Sequence, residues 1–270
     1  MKRDIITDLQ DLTWLRWSHI RTSSGTAGTL LKSQSILNGN KIYYKLSSYE
    51  PGIGITGHEC INEIIVDRLL TILGIEHLHY SLIHAQIELE GNVYTTYLCA
   101  SQDFKKASES KIALDDFYRV NAFQGESHYD FCIRMGWKDY IDTMIAVDYL
   151  ILNRDRHGAN IEVLRNARAH SLRIAPLFDH GLSLLFSCHS PDDITKFNIM
   201  EDKRCQNFIG TSSCLDNLHL IQNKKKAIPG SLQENSNELL FEGLENILSK
   251  EHINAIWNMI YRRYTYYEGL

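Results

Sequence analysis

The chain has 270 residues, of which 44% are hydrophobic and 23% are charged, a composition typical of globular proteins. This length is sufficient for one large domain or two lobes with a sizeable core. The formal net charge of -5 disfavours direct binding to nucleic acid, which requires a strongly basic surface. No apolar run reaches the roughly 18–20 residues that a membrane span needs, and the start, "MKRDIITDLQDL", lacks the apolar core of a signal peptide. We therefore expect a cytoplasmic protein without a membrane partner.

Six cysteines are spread along the chain, and no two of them form a C-x-x-C pair. This spacing argues against a zinc knuckle or a dithiol redox motif. The neighbouring residues Cys188 and His189 are by themselves weak evidence for a metal site. We expect free thiols, as in proteins of a reducing compartment.

The first hundred residues read mostly as strands. The dipeptide Asn38-Gly39 is a strong hairpin signal and precedes a predicted strand at residues 41–47. An apolar stripe at helical spacing predicts a helix over residues 58–75. Residues 80–101 then predict two strands that are joined at Gly91-Asn92.

The character of the chain becomes mainly helical from about residue 102. The predicted helices of this half are residues 114–123, 128–137, 138–152 and a tail of residues 237–270, and short strands are predicted at 161–164 and 172–179. The sequence therefore predicts an α+β protein with a small β-rich N-terminal lobe, residues 1–101, and a larger helical C-terminal lobe, residues 102–270.

A cluster of polar residues follows the apolar helix predicted at 138–152. Asp155 and Asn160 lie five positions apart in the stretch "LNRDRHGAN", and Asp179 follows the apolar run "IAPLF". Phosphoryl transfer needs oxygen ligands for metal ions, a carboxylate that positions the attacking hydroxyl, and cations that hold phosphates. Upstream, Lys45 on a strand is a candidate for the last of these roles.

Four stretches resemble motifs of the HipA-like serine/threonine kinases. They are "IYYKLS", "INEIIVDRLLTILGI", "DYLILNRDRHGANIEVL" and "IAPLFDHGLS", and they occur in the order of that family over residues 20–185. The resemblance implies a bilobal protein-kinase-like fold, with ATP and Mg²⁺ as cofactors and a protein as the phosphate acceptor. It is closest to the short, stand-alone members of the family.

The resemblance also implies a role for each matching residue. Lys45 would contact the nucleotide phosphates, and Glu63 would pair with Lys45. Asp155 would be the catalytic base or position the substrate hydroxyl, while Asn160 and Asp179 would bind magnesium. Further residues are implied to support the loop or the phosphates (Arg156, His157), to form the phosphate loop (Ser24, Gly25, Thr26) and to lie at the adenine-binding hinge (Leu98, Ala100).

Two departures from the family pattern affect this reading. The stretch "TSSGTAGTLLKS" stands where the family often has a Gln-x-Lys sequence, although its small residues still allow backbone N–H groups to approach phosphate. By analogy with some family members, Ser23 and Ser24 are candidate self-phosphorylation sites. The amino-terminal segment of the full-length family toxins is expected to be absent, and the candidate partners are a small antitoxin or a separate small protein that supplies this segment.

Several alternatives remain open from the sequence. Glu59 is a rival partner for Lys45, because it lies one helical turn before Glu63 on the same face. His157 is as readily a structural histidine as a catalytic one. The D-R-H-x-x-N run also resembles the catalytic loop of phosphatidylinositol kinases, so a lipid or small-molecule kinase is one alternative function. A nucleotide-binding pseudokinase or interaction module is another.

Overall fold

The structure is a computed structural model, and it describes residues 4–18 and 30–270. The first part is a β-rich lobe with one long helix, and the second part is mainly helical. This confirms the α+β class that the sequence predicts. The phosphate-loop candidates Ser23, Ser24, Gly25 and Thr26 lie outside the described residues.

The β-rich lobe contains a five-stranded sheet with spatial strand order β1-β6-β7-β3-β2. A two-stranded hairpin, β4 with β5, lies outside this sheet. The elements of the lobe are β1 (Ile5–Asp11), β2 (Lys32–Leu37), β3 (Asn40–Lys45), β4 (Tyr49–Glu50), β5 (Gly54–Ile55), α1 (Glu59–Ile72), β6 (Tyr80–Leu89) and β7 (Asn92–Gln102).

The helical part also contains a three-stranded sheet of order β11-β10-β8. Two short 3₁₀ helices, Gly158–Asn160 and Leu218–Leu220, interrupt this part. Its other elements are β8 (Ser110–Ala113), α2 (Leu114–Asn121), α3 (His128–Arg134), α4 (Lys138–Ile151), β9 (Asp155–Arg156), β10 (Glu162–Asn166), β11 (Ser171–Ile174), α5 (Pro191–Lys196), β12 (Gln206–Asn207), α6 (Cys214–Asn217), α7 (Lys224–Ala227), α8 (Ser236–Phe241) and α9 (Lys250–Glu268).

Two tight turns build the central hairpins of the five-stranded sheet. Asn38 and Gly39 have φ values of 51° and 79°, the positive pair that a two-residue turn of type I′ requires. The second turn is centred on Glu90 and Gly91, with φ values of 50° and 81°, one residue earlier than the sequence predicts. These turns set the register of β2 with β3 and of β6 with β7, and the pairing of β3 with β7 then places Lys45 opposite Cys99.

Helix α1 lies between the two parts of the molecule and is buried on nearly every side. Its apolar residues Ile64, Ile65 and Leu69 are fully buried, and the helix packs on β6 and β7 and against α8. Each such side chain contributes about 1.5–3 kcal/mol through burial. The helix therefore holds its polar residues, Glu63 among them, in a fixed position between the sheet and the helical part.

Strand β1 has no counterpart in the sequence-based prediction. It pairs in parallel with β6, and most of its side chains are exposed, so it lacks the apolar alternation that marks a strand. Arg68 of α1 donates to both carboxylate oxygens of Asp4 at 2.6 and 2.9 Å, which ties the start of β1 to the helix.

All six thiols lie within the described residues and are free and buried, as expected. In the ranges 4–18 and 30–270, no helix has both the length and the apolar character needed to cross a bilayer.

Three histidines pack together where α1, α9 and the segment before α5 meet. The ring of His58 lies 4.6 Å from that of His252 and 6.0 Å from that of His189, measured between centroids. Burial, followed by repulsion from His58 and His189, lowers the pKa of His252 to about 4. Burial also lowers the pKa of His58. The burial of His58 and His252 therefore favours their neutral forms.

From the lowered pKa of His252 we expect the folded protein to lose stability in acid. Because the folded-state pKa of His252 lies below its ordinary value of 6.5, the unfolded chain binds more protons as the pH falls between these values. We expect the free energy of unfolding to fall from pH 6.5 to 4, with up to about 3 kcal/mol attributable to His252. Urea denaturation across this range should show a shallower pH dependence for His252→Gln. The exposed-site variant His219→Ala should keep the wild-type slope, and an unchanged slope in His252→Gln would contradict the assignment.

Candidate active site

A cavity of about 640 Å³ opens between the five-stranded sheet and the helical part. Lys45 and Asp179 line one part of it, and aromatic side chains line another. The lining residues are Trp14, Leu15, Arg16, Ser18, Lys32, Ser33, Gln34, Tyr43, Tyr44, Lys45, Leu78, Tyr80, Cys99, Ser101, Phe104, Lys111, Glu162, Phe178 and Asp179. This volume is within the range of pockets that bind small molecules and cofactors.

Lys45, the last residue of β3, binds two carboxylates. Its Nζ lies 2.5 Å from Oε1 of Glu63 and 2.6 Å from Oδ1 of Asp179. Burial by itself would lower the pKa of Lys45, but the attraction of Asp179 and then of Glu63 outweighs burial and raises the pKa well above its usual value. The side chain is therefore a permanent cation at the wall of the cavity.

The structure identifies Glu63, not Glu59, as the helix partner of Lys45. The second carboxylate oxygen of Glu63 accepts the backbone N–H of His180 at 2.9 Å, so both carboxylate oxygens have a partner. Glu59 instead accepts the backbone N–H of Ser48 at 3.1 Å and also the Ser48 hydroxyl. The two acids of this helix face thus have different partners.

Asp179 lies between the two parts of the molecule. Its backbone has a φ of 61°, a left-handed conformation that is uncommon for residues other than glycine. Its backbone N–H donates to the Tyr80 hydroxyl at 3.3 Å, and Lys32 Nζ lies 3.8 Å from Oδ2. Strained backbone of this kind is often found where a side chain must be aimed at a ligand.

Asp155, His157 and Asn160 form a second group, in the segment that follows α4. Asn160 Nδ2 donates to the Asp155 backbone carbonyl at 2.8 Å and lies 3.2 Å from its carboxylate oxygen Oδ2. The Nδ1 atom of His157 accepts the backbone N–H of Ala159 at 3.2 Å, so Nε2 carries the proton of the neutral ring. That Nε2 lies 3.5 Å from Oδ1 of Asp155. His157 is thus both a structural residue of the loop and a neighbour of the Asp155 carboxylate.

Arg156 connects the two groups. Its guanidinium donates to the backbone carbonyl oxygens of Asn160 at 3.2 Å and of Phe178, the residue before Asp179, at 3.0 Å. Arg156 is 1% exposed, so it supports the loops from inside the protein and has no access to a phosphate.

Sequence reasoning missed the residue that neutralises Arg156. This is Asp148 of α4, whose carboxylate accepts the Arg156 Nε–H at 3.0 Å and a second guanidinium N–H at 3.0 Å. Asp148 also accepts from Asn153 Nδ2 at 2.8 Å, and Asn153 in turn accepts the backbone N–H of Asp155 at 3.1 Å. An acid in an otherwise apolar helix, eight residues before an arginine, was the available signal, because a buried charge requires a partner.

The two residues that the sequence places at an adenine-binding hinge lie in β7. Leu98 and Ala100 are on the face of β7 that packs into the core of the β-rich lobe, while Cys99 and Ser101 line the cavity. Side chains alternate along a strand, so these two pairs must face opposite ways. Ala100 is paired with both neighbouring strands, whereas Leu98 is paired with β6. The side chains of Leu98 and Ala100 therefore do not line the cavity, and the adenine contact of this segment stays a prediction.

Phe104 and Phe178 supply an apolar end to the cavity. Their ring centroids are 5.4 Å apart, and Lys111 Nζ lies 4.0 Å from the Phe104 centroid. Lys111 also pairs with Asp103 at 3.0 Å. The cavity thus combines aromatic surface at one end with the charged group of Lys45 and Asp179 at the other.

The fold and this site define a class of protein. A sheet with a Lys–Glu ion pair to one helix, set against a mainly helical part that carries Asp155, Asn160 and Asp179, is the bilobal arrangement of a kinase-like fold. Solved structures with this arrangement are similar to the chain over nearly its whole length.

One of them is the crystal structure of CtkA, a proinflammatory kinase of Helicobacter pylori. It matches with a TM-score of 0.62 at 16% sequence identity, covering 96% of this chain and 98% of that one. Another is HipA of Shewanella oneidensis MR-1, solved in a toxin–antitoxin complex with HipB and operator DNA. It matches with a TM-score of 0.54 at 15% identity, covering 92% of this chain and 66% of HipA.

At these identities the similarity establishes the fold. No protein-family model matches the sequence. No curated protein matches it either.

Proposed function

We propose that this protein is an ATP- and Mg²⁺-dependent serine/threonine protein kinase of the HipA-like type. The observation that carries the proposal is the Lys45 ammonium, held between the carboxylates of Glu63 and Asp179 at the wall of a nucleotide-sized cavity. Removing a lysine and two carboxylates from water costs free energy. This cost is explained if an anionic ligand takes the place of Asp179 beside Lys45.

Each residue has a role that its contacts support. Lys45 would bind phosphate oxygens of the nucleotide, while Glu63 holds the lysine side chain in place. Asp155 would orient the acceptor hydroxyl and take its proton, a contribution of typically about 10²–10⁴-fold in rate. His157, through the proton on Nε2, would keep the Asp155 carboxylate in its orientation. Because phosphoryl transfer depends chiefly on positioning, the rigid Arg156 bridge between the loops serves the same end.

The side chains of Asn160 and Asp179 suit magnesium. Both offer oxygen donors, which this small, hard cation prefers. When bound, Mg²⁺ would offset the negative charge of the phosphates. Asn160 is held in position by its Nδ2 contact with the Asp155 carbonyl, and Asp179 by the Tyr80 hydroxyl.

The acceptor is proposed to be a serine or threonine of a protein, with Ser23 or Ser24 of the chain itself as candidates. A lipid or small-molecule acceptor is the alternative that the D-R-H-x-x-N run suggests. A pseudokinase is disfavoured, because the chain retains a complete set of charged residues at the site. Lys45, Asp155, Asn160 and Asp179 would have no common use in a protein that only binds a partner.

The HipA structure was solved with its partner HipB. By analogy, we propose that a small antitoxin-like protein binds this chain and that the kinase acts as the toxin of such a pair. We also propose that it acts in the cytoplasm and without direct contact with nucleic acid. Coexpression of the chain with a protein encoded beside its gene, followed by copurification, tests this proposal.

The proposed function is tested with the purified protein and Mg-ATP. We expect Mg-ATP to raise the unfolding temperature and the intact mass to increase by one or more phosphates. The mass gain should be lost in the Ser23→Ala, Ser24→Ala double variant if one of these residues is the acceptor. Absence of both binding and mass gain would overturn the kinase proposal.

A second assay separates the protein acceptor from a lipid acceptor. Vesicles that contain phosphatidylinositol are incubated with the protein and labelled ATP, then pelleted. Label in the protein fraction supports the proposal, whereas label in the lipid fraction and pelleting of the protein would support a lipid kinase.

A further inference from the structure

A second cluster of side chains, of types that can bind a metal ion, is formed by α1 and the segment that follows it, outside the proposed nucleotide site. Among the described residues, Asp67, His77 and His79 bring one ligand atom each to within 4.8 Å of one another. Asp67 Oδ1 lies 3.2 Å from His77 Nε2 and 3.3 Å from His79 Nδ1. Two imidazole nitrogens therefore converge on one carboxylate oxygen.

The hydrogen bonds of His77 show why this geometry calls for a cation. Its Nδ1 lies 2.7 Å from the Ile75 carbonyl oxygen, and a carbonyl can only accept, so Nδ1 carries a proton. In the neutral ring, Nε2 then has a lone pair that faces the Asp67 carboxylate at 3.2 Å. Two electron pairs at this distance repel each other unless a positive charge lies between them. A metal ion between the two atoms would supply that charge.

The distances and donors favour a metal ion. Tetrahedral zinc binds nitrogen at about 2.0–2.1 Å, which places neighbouring ligand atoms about 3.3 Å apart. The two separations from Asp67, 3.2 and 3.3 Å, are close to this value, and all three ligand atoms lie within 4.8 Å of one another. Two imidazoles and one carboxylate form a donor set that zinc accepts readily, with the fourth position left for water.

The surroundings also resemble those of a metal site. The N–H of His77 that is directed away from the cluster donates to the Ile75 carbonyl, and the other oxygen of Asp67 accepts the backbone N–H of Tyr80 at 2.6 Å. Such outer contacts fix the orientation of ligands before the metal binds. The side chain of His77 is 3% exposed and that of His79 is 74% exposed, so the cluster has a rigid inner wall and an open side for entry.

From these observations we propose that Asp67, His77 and His79 form a binding site for one zinc ion. Its position suggests a structural role. Asp67 lies one helical turn after Glu63, and the segment of His77 pairs with Leu177, two residues before Asp179. Zinc at this site would connect α1, whose Glu63 binds Lys45, to the segment that precedes Asp179. The proposal does not depend on the protein being a kinase.

The test uses the full chain without an affinity tag, stripped of metal with a chelator. Zinc is titrated against a chromophoric competitor to measure stoichiometry and affinity. We expect one equivalent for the wild type. In His79→Ala we expect the affinity to fall by more than the about 10- to 100-fold that follows loss of an outer-shell contact. Zinc should also raise the unfolding temperature of the wild type and not that of this variant.

Two further variants make the result decisive. Asp67→Asn retains an oxygen that accepts the Tyr80 N–H but removes the negative charge, and we expect it to lose zinc binding as well. His219→Ala removes an exposed histidine far from the cluster in sequence and should bind zinc as the wild type does. A wild type that binds no zinc would show that the three side chains do not form a zinc site. Equal affinity in the wild type and His79→Ala would place the zinc elsewhere, and either outcome overturns the proposal.

Discussion

Replacement of Asp155 by asparagine is expected to reduce phosphate transfer by about 10²–10⁴-fold, the usual contribution of a positioned general base. The reason is that asparagine keeps the shape of the side chain but cannot take a proton from an acceptor hydroxyl. The Asp155 side chain is 26% exposed, and its backbone contacts with Asn153 and Asn160 do not depend on the carboxylate. Folding should therefore be unaffected. The rate of mass gain with Mg-ATP measures the loss.

Two controls separate catalysis from binding in this experiment. The affinity for Mg-ATP, measured by calorimetry, should change by no more than a few fold, because Lys45 and Asp179 are intact. Asp192→Asn, at a side chain that is 87% exposed on α5, should transfer phosphate at the wild-type rate. Full activity in Asp155→Asn would mean that this carboxylate does not serve as the base.

The second large effect is expected at Arg156, where replacement by methionine should destabilise the fold by about 3–5 kcal/mol. The change leaves the Asp148 carboxylate buried with no opposing charge and removes the donors to the Asn160 and Phe178 carbonyl oxygens. Chemical denaturation of the wild type and the variant measures the difference. Because the same side chain joins the two loops, we also expect weaker Mg-ATP binding.

A double variant identifies the cause of that destabilisation. Adding Asp148→Asn to Arg156→Met removes the uncompensated charge while keeping an acceptor for Asn153. We expect the double variant to be more stable than the sum of the two single-variant effects would predict. The exposed pair Arg119 and Asp116 is the comparison, since Arg119→Met should cost less than about 1 kcal/mol. A loss at Arg156 no larger than the loss at Arg119 would show that the buried pair is not important for stability.

The catalytic-loop residues could be recognised from sequence because their geometry is local. Asp155, His157 and Asn160 lie within six positions, and the hydrogen bonds among them span five residues or fewer. The hairpin at Asn38-Gly39 was equally accessible, because its turn type depends on the two residues that form it. Helix α1 and helix α4 were predicted from apolar spacing, and tertiary packing then shortened each by only a few residues at its ends.

Other features depended on partners that are distant in sequence. Strand β1 carries no alternating pattern and exists because β6, more than seventy residues later, offers an edge for parallel pairing. The short strand β12 likewise pairs with β9, which lies far from it in the sequence. The cluster of Asp67, His77 and His79 was not recognised from the sequence, because Asp67 belongs to a helix and the two histidines to a loop, and only the fold brings them together.

By itself, the sequence determined the fold class, the order of the elements and the types of residue available for phosphate chemistry. These follow from local periodicity, turn chemistry and motif spacing, which act over a few residues. Only the tertiary structure decided that Glu63 rather than Glu59 binds Lys45, that Asp148 neutralises Arg156, and that Leu98 and Ala100 face the core. Each of these outcomes depends on which side chains burial brings within hydrogen-bonding distance, and burial is a property of the whole packed molecule.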